Sequence, residues 1–132
     1  MNMKILVGYR GLNVGKDLLD LAANHAKAFE GEVHVVTSLL GGDKTDKKKI
    51  TAAEENLDAA KTYLDGKGTK NETHLLIRGV TAGEDILAFS NENNISEIIL
   101  GVKSRSKVGK LLFGSTAQFV ILKADCPVTT VK

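Results

Sequence analysis

The chain has 132 residues, the length of one ordinary domain, and 42% of them are hydrophobic while 26% are charged. This composition is typical of a soluble globular protein and excludes a mostly disordered chain. The single cysteine, Cys126, excludes a disulfide framework and suits a reducing compartment. No apolar run approaches the length of a membrane span, and the N-terminus does not resemble a signal peptide, so we expect a cytoplasmic protein.

The net charge of +2 is unevenly distributed along the chain. Residues 1–99 carry 12 Lys or Arg and 15 Asp or Glu, a net charge of −3. Residues 100–132 carry 6 Lys or Arg and 1 Asp, a net charge of +5. The excess is concentrated at Lys103, Arg105, Lys107 and Lys110. Such a patch favours an anionic partner. The alternative is a solvated loop whose lysines serve solubility.

In the first half of the chain, apolar runs and helical periodicity alternate. A buried strand is predicted at residues 5–7, and a second at residues 33–36. Between them, a helix that stops near Gly31 is indicated by an apolar stripe of Leu18, Leu21, Ala22, His25 and Phe29. A capping box at Thr51 to Glu54 predicts the start of the next helix, and the run Lys47 to Lys49 reads as a solvated loop before it.

The second half continues the alternation. Strands are predicted at residues 73–77, 98–100 and 127–131. A second capping box, Thr81 to Glu84, opens a helix with Ile86, Leu87 and Phe89 inward. A glycine- and lysine-rich loop runs to Phe113, and the last helix has an apolar face of Ala117, Val120, Ile121 and Ala124.

Strands that alternate with helices imply a parallel sheet with helices on both faces. Ligands of such sheets bind at the carboxyl ends of the strands, where the strand order reverses. The turn after the first strand, Gly8 to Gly11, and the loop from Gly101 are therefore the expected site.

Two segments contain glycines in patterns that suit phosphate binding. Gly11 to Asp17 approaches a P-loop, but its glycine spacing is one residue short and Asp17 replaces the Ser or Thr that holds Mg²⁺. We therefore expect an ordinary loop into a helix there. The stronger candidate joins Gly101, after the fourth strand, to Gly114, where a helix begins with Ser115. Free N–H groups at a helix start attract anions, although a tight turn with an ordinary N-cap is the alternative.

The segment from Gly101 to Val131 resembles the universal stress protein family. The family signature is glycine, two residues, glycine, nine residues, glycine, then serine or threonine; the spacing is preserved here and Gly114-Ser115 matches. Ala124 to Val128 also resembles the family's approach to its last strand. The resemblance implies one flavodoxin-like, Rossmann-like α/β domain over residues 1–132, with a five-stranded parallel sheet of order 3-2-1-4-5 and helices on both faces.

The resemblance also implies a regulatory protein of the stress response that binds ATP or AMP, with or without Mg²⁺. Adenine would lie near Gly8, Tyr9 and Ser38, and the ribose and phosphates along the Gly101 loop and the helix start. The cofactor-binding set is Gly8, Tyr9, Arg10, Ser38, Gly101, Val102, Lys103, Ser104, Arg105, Gly114, Ser115 and Thr116. Homodimerisation through Val128 to Val131 is the family's common habit, and that apolar edge would otherwise stay unpaired.

This sequence departs from the family's binding pattern at two positions. Ser104 stands where the signature has its second glycine, and Arg10 stands where binding members carry an aspartate for the ribose hydroxyls. Arginine cannot accept those hydrogen bonds, but it can meet a phosphate. Because of these two departures, the alternative is a protein of the same fold that binds no nucleotide and acts as a dimeric scaffold.

A slow ATP hydrolase is a less favoured alternative, because no catalytic or metal-ligand spacing stands out. His25, His34, His74 and Cys126 are each expected to be packing residues. Aromatic residues are only 5% of the chain, with no Trp, which argues against nucleic-acid binding by stacking.

Overall fold

The structure, a computed structural model, describes residues 2–42, 46–101, 104–105, 111–112 and 114–132, and of these 12–14, 104–105 and 111–112 as backbone only. In chain order its elements are β1 (Lys4–Gly8), α1 (Leu12–Ala28), β2 (Glu32–Leu39), α2 (Lys47–Gly66), β3 (Asn71–Ile77), α3 (Ala82–Glu92), β4 (Glu97–Gly101), β5 (Ser104–Arg105), β6 (Leu111–Leu112), α4 (Ser115–Lys123) and β7 (Val128–Val131). None of the helices in this described part combines the length and apolarity needed to cross a membrane.

The main sheet has five parallel strands in the order β3-β2-β1-β4-β7. Because β7 is its fifth strand along the chain, the predicted order 3-2-1-4-5 is confirmed. In the centre of the sheet, Val7 of β1 lies between Val35 and Ile99. The continuous apolar runs of these strands follow from burial on both faces, since helices cover each side.

Two hydrophobic cores lie on opposite faces of the sheet. Side chains alternate along β1, so Ile5 and Val7 pack under α1 and α2 while Leu6 packs under α3 and α4. Leu64 of α2 and Val120 of α4 are fully buried in the two cores. The carboxyl ends of the strands consequently open between two helical layers that are each anchored by their own core.

The predicted start of α2 is wrong. Asp46 is the N-cap, because its carboxylate accepts a hydrogen bond from the backbone N–H of Lys49 at 2.9 Å. The run Lys47 to Lys49 therefore forms the first helical turn instead of a loop, and Thr51 lies inside the helix. Aspartate caps as well as threonine does, and the earlier cap lets another turn of backbone hydrogen bonds form.

The predicted capping box of α3 is confirmed. The hydroxyl of Thr81 accepts from the backbone N–H of Glu84 at 3.3 Å, and the N–H of Thr81 donates to the Glu84 carboxylate at 3.2 Å. The Thr81 hydroxyl also donates to the Glu84 carboxylate at 2.8 Å. This bond, and to a lesser extent the bond from the Thr81 backbone N–H, hold the pKa of Glu84 below its usual value. They also fix the start of α3, which lies beside the carboxyl end of β2 in the site described below.

Three further predictions need correction. Phe29, assigned to the apolar stripe, is 60% exposed because it lies past the end of α1, and Ile121 is 42% exposed on α4. Ala124 lies one residue beyond the last helix, as its C-cap, and packs against the same core as Ala117 and Val120, as predicted. The predicted loop before Phe113 contains a short antiparallel pair, in which Ser104 lies opposite Leu112.

Candidate functional site

A cavity of about 600 Å³ opens at the carboxyl end of the sheet. Its lining comes from the exits of β1, β2 and β4, from Leu18 of α1, and from the N-terminal parts of α2, α3 and α4. Eight of the predicted binding residues line this one cavity: Gly8, Tyr9, Arg10, Ser38, Gly101, Gly114, Ser115 and Thr116. Val102 and Lys103 lie outside the described residues, and so do Lys107 and Lys110 of the basic patch. Ser104 and Arg105 are described only as the backbone of β5.

The exit of β1 forms the cavity wall nearest the sheet. A Cβ on Gly8 would lie 2.6 Å from Leu100 Cδ2, so glycine is needed for β1 and β4 to pack as they do. The backbone N–H of Tyr9 donates to the carbonyl of Val36 at 2.9 Å, and the hydroxyl of Thr37 donates to the carbonyl of Tyr9 at 2.8 Å. These bonds continue the sheet past the end of β1 and hold the wall in place.

The ring of Tyr9 packs directly on the first turns of α1. A Cβ on Gly15 would lie 2.3 Å from Tyr9 Cε1, which means that only glycine leaves room for the ring. The ring is buried, and burial raises the pKa of the Tyr9 hydroxyl. Among the described residues, that buried hydroxyl has no hydrogen-bond partner. The segment from Gly11 to Asp17, which was compared with a P-loop, is therefore the start of a helix, and its Gly15 makes room for the ring of Tyr9.

Ser38, at the end of β2, is held by a buried carboxylate that the sequence did not indicate. Its hydroxyl donates to Asp85 Oδ2 at 2.8 Å, and Asp85 is fully buried in α3. Arg78 Nε donates to Asp85 Oδ1 at 2.5 Å, and a second guanidinium nitrogen donates to Glu92 at 3.0 Å. Both carboxylates raise the pKa of Arg78, with Glu92 contributing more. The serine's contribution to the cavity is therefore its backbone and the oxygen lone pairs of its hydroxyl.

The start of α4 forms the opposite wall. Gly114 is the N-cap and has no side chain with which to cap the helix. The first N–H groups of a helix have no partner within it, and they carry the positive end of the helix dipole. No acidic residue lies in this first turn. Ser115 and Thr116 line the cavity at this point, so the wall offers backbone donors and hydroxyls to an anion.

The α2 side of the cavity was missed by the sequence analysis. Lys49, Ala52, Ala53 and Asn56 all line it. Asn56 Nδ2 donates to the carbonyl of Arg10 at 3.3 Å, which ties α2 to the turn after β1. Lys49 was overlooked because the predicted helix began at Thr51, which left the lysine in a solvated loop. Ala52, Ala53 and Asn56 were inside the predicted helix, but nothing in the sequence indicated that this part of the helix faces the cavity.

The histidines and the cysteine lie elsewhere. His25 Nδ1 is 2.7 Å from Glu97 Oε1, His34 and His74 contact each other within the sheet, and half-buried Cys126 lies 3.9 Å from the Ser90 hydroxyl. Within the described part of the lining there is no histidine, cysteine, aspartate or glutamate. The described walls thus supply hydrogen-bond donors and positive charge rather than an acid–base pair.

Comparison with known proteins agrees with this arrangement. The model of the universal stress protein family matches residues 1–132. A solved universal stress protein from Archaeoglobus fulgidus is 38% identical over the whole of both chains, with a TM-score of 0.93. Another solved structure from that organism, a universal stress protein in complex with dAMP, is 32% identical, with a TM-score of 0.85 and coverage of 100% of this chain and 98% of that one.

A universal stress protein of Mycolicibacterium smegmatis is 27% identical over 128 residues, which cover 97% of this chain and 96% of that protein. The family match and the 38% identical structure each span the full length of the chain. The sheet order and the position of the cavity fit the fold that the sequence resemblance implied. The chain therefore belongs to the universal stress protein family.

Proposed function

We propose that the cavity binds an adenine nucleotide, AMP or ATP, and that the protein acts as a dimeric regulatory protein of the stress response. One observation carries the nucleotide proposal: the exit of β1 and the N-terminus of α4 line the same cavity of about 600 Å³. Ligand cavities of roughly 300–1,000 Å³ are usual for compounds of nucleotide size. The wall at the strand exits is largely apolar, as adenine is, and the wall at the start of α4 offers hydrogen-bond donors, which phosphates require.

The phosphates are assigned to the α4 wall. Backbone N–H groups and the hydroxyls of Ser115 and Thr116 suit phosphate oxygens, and the helix dipole favours their charge. Among the described residues, a Cβ on Gly101 would make only ordinary contacts, the nearest with Leu18 Cδ1 at 3.6 Å. A glycine at this position would let a phosphate or ribose approach the backbone closely.

The adenine is assigned to the side nearer the exits of β1 and β2. Val36, Ile86 and Leu100 give this part an apolar surface, and the backbone at Ser38 is within the lining. The relative bound to dAMP supports an adenine ligand. The dAMP ligand lacks the 2′ hydroxyl, which AMP and ATP retain, so the proposed ligands bind here without a ribose-binding carboxylate at Arg10. Arg10 instead adds a positive charge at the cavity.

Calorimetric titration of nucleotide-free protein tests the proposal. We expect AMP and ATP to bind with one site per chain and a dissociation constant in the micromolar range, about −8 kcal/mol, and GTP to bind at least about tenfold more weakly. ATP is titrated with and without Mg²⁺ to measure the contribution of the ion. Equal binding of GTP, or no heat at millimolar AMP and ATP, would contradict the proposal. The second result, in a protein that still dimerises, would favour the scaffold alternative suggested by Ser104 and Arg10.

The dimer proposal rests on the open edge of the sheet. β7 is an edge strand with β4 as its neighbour in the sheet, and Val128 and Val131 are half-buried along it. Nearby on the chain, Leu122 at the end of α4 is 82% exposed. An apolar edge strand is prone to pair with another chain. A second copy of β7 would cover this edge.

Thr130→Pro distinguishes a β7 dimer from other assemblies. The carbonyl of Pro127 bonds to Ile98 of β4, so alternation along the strand turns the N–H of Thr130 to the open side. Proline there removes a donor from the edge and leaves the β4 pairing in place. We expect wild-type protein to sediment as a dimer of 14.1 kDa chains and the variant as a monomer. A wild-type monomer, or an unaffected variant dimer, would contradict this interface.

A further inference from the structure

A second cluster of polar side chains lies away from the nucleotide cavity, in the first halves of β2 and β3. Glu32 is the first residue of β2, and His34 lies on the same face two residues later. Glu72 of β3 is the register partner of His34. Ligand atoms of these three residues all lie within 4.8 Å of one another. The cavity is at the opposite ends of the strands, so the two features are separate.

The imidazole of His34 is the central group of this cluster. His34 is only 4% exposed, and its Nε2 has no hydrogen-bond partner among the described residues. Nε2 lies 3.7 Å from Glu32 Oε1, while Nδ1 lies 3.9 Å from Glu72 Oε2 and 3.0 Å from His74 Nε2. A separation of 3.7 Å is too long for a hydrogen bond. It is close to the spacing of about 3.3 Å between ligand atoms that surround a tetrahedral ion with bonds of about 2.0–2.1 Å.

The tautomer of His34 decides what its Nε2 can bind. A neutral imidazole carries one N–H. When His34 Nδ1 donates to His74, its Nε2 is an unprotonated lone pair that faces the Glu32 carboxylate at 3.7 Å. In this tautomer the buried nitrogen and the half-buried carboxylate are two acceptors that face each other, an arrangement that a cation between them stabilises. A hydrogen bond from the second ring nitrogen is also the usual way in which a metal-binding histidine is oriented.

We propose that Glu32, His34 and Glu72 bind a divalent transition-metal ion, with Zn²⁺ as the best match. One imidazole and two carboxylates form a borderline nitrogen and oxygen ligand set that suits Zn²⁺ better than Mg²⁺. The Glu72 side chain is 60% exposed, so the ion has a route from solvent. A bound ion would tie the start of β2 to the start of β3, the edge strand of the sheet.

Lys70 would compete with the ion for the carboxylate of Glu32. Its Nζ lies 3.4 Å from Glu32 Oε2, and its side chain is mostly exposed. A surface ion pair of this kind is weak, so the lysine can move away when the metal binds. Its removal should therefore strengthen metal binding.

The test is competition between the metal-free, tag-free chain and a chromophoric chelator for Zn²⁺. We expect one ion per chain, a rise in the melting temperature with Zn²⁺ but not with Mg²⁺, and a Co²⁺ absorption spectrum typical of a low-coordinate site. Glu72→Gln and His34→Gln should each weaken Zn²⁺ binding by at least about tenfold. Glu72→Gln keeps the test informative if the buried histidine variant fails to fold. Lys70→Met should tighten binding.

Two control variants complete the design. Glu54→Gln changes an exposed carboxylate of α2, and Cys126→Ser removes the only thiol, so both should leave Zn²⁺ affinity unchanged. The proposal is overturned if the wild-type chain binds no Zn²⁺, or if Glu72→Gln binds it as tightly as the wild type does. Loss of binding in Cys126→Ser would assign the metal to the thiol instead.

Discussion

Gly114→Val is expected to remove adenine-nucleotide binding and to leave the fold intact. Gly114 has φ −67° and ψ 162°, an extended conformation that valine adopts without strain. Its new side chain would occupy the cavity at the start of α4, where the phosphates are proposed to lie. We expect at least about a hundredfold loss of affinity for AMP, or about 3 kcal/mol, in a calorimetric titration.

Gly66→Val is the matched control for this variant. Gly66 ends α2, and within the described part of the chain it lies outside the cavity lining and has open space where a Cβ would lie. It should bind AMP as the wild type does, and both variants should melt within a few degrees of the wild type. Full AMP affinity in Gly114→Val would mean that the phosphates do not lie at the start of α4.

Gly15→Ala is expected to destabilise the protein although it replaces glycine in a helix. In a helix with free space, alanine would be favoured over glycine by about 1 kcal/mol. Here the added Cβ would lie 2.3 Å from Tyr9 Cε1 and 2.7 Å from Tyr9 Cδ1, so the ring must leave its buried position. Overpacking of this kind costs about 1–3 kcal/mol. We expect a net loss of about 2 kcal/mol and a fall in melting temperature of about 7 °C.

The control for Gly15→Ala is the same substitution where space is available. Gly66→Ala should leave the melting temperature unchanged or raise it slightly, because no described atom outside its own helical turns lies within 4 Å of its Cβ. AMP binding by Gly15→Ala should weaken as well, since Tyr9 lines the cavity. A melting temperature for Gly15→Ala equal to or above that of the wild type would show that Tyr9 does not rest on this glycine.

The sheet was predictable from the sequence because each parallel strand is a short apolar run bounded by helical periodicity. Uninterrupted apolar runs such as residues 5–7 and 98–100 indicate strands that are covered on both faces. Because these strands alternate with helices along the chain, few sheet topologies are possible. The strand-end glycines and the start of α4 could be placed for the same reason, since strand ends share one edge of the sheet. The order of the strands came from the family resemblance.

The rest depends on contacts between residues that are distant along the chain. Ser38 and Asp85 are 47 residues apart, and only the packing of α3 on β2 brings them together. The signal available in the sequence was a charged residue, Asp85, next to Ile86 in the apolar part of α3, and the structure shows that it is buried. The cluster around His34 has no metal-binding spacing because Glu72 comes from the neighbouring strand.

Helical periodicity also has a clear limit. It identifies which face of a helix is apolar, but it does not show how far the neighbouring elements cover that face. Phe29 and Ile121 fit the apolar stripes and are nevertheless exposed, because one lies past the end of its helix and the other on an uncovered part of α4. Because α4 directly precedes β7, a second chain that pairs with β7 could also cover this exposed part of α4.

The proposed role of the α4 start is tested most directly by an NMR titration of ¹⁵N-labelled protein with AMP. The account predicts that the backbone amides of Ser115, Thr116 and Ala117 shift most strongly, since they are the proposed phosphate donors, and that Tyr9 and Arg10 shift with them. Saturable AMP binding that leaves the amides of Ser115 to Ala117 unmoved would contradict it.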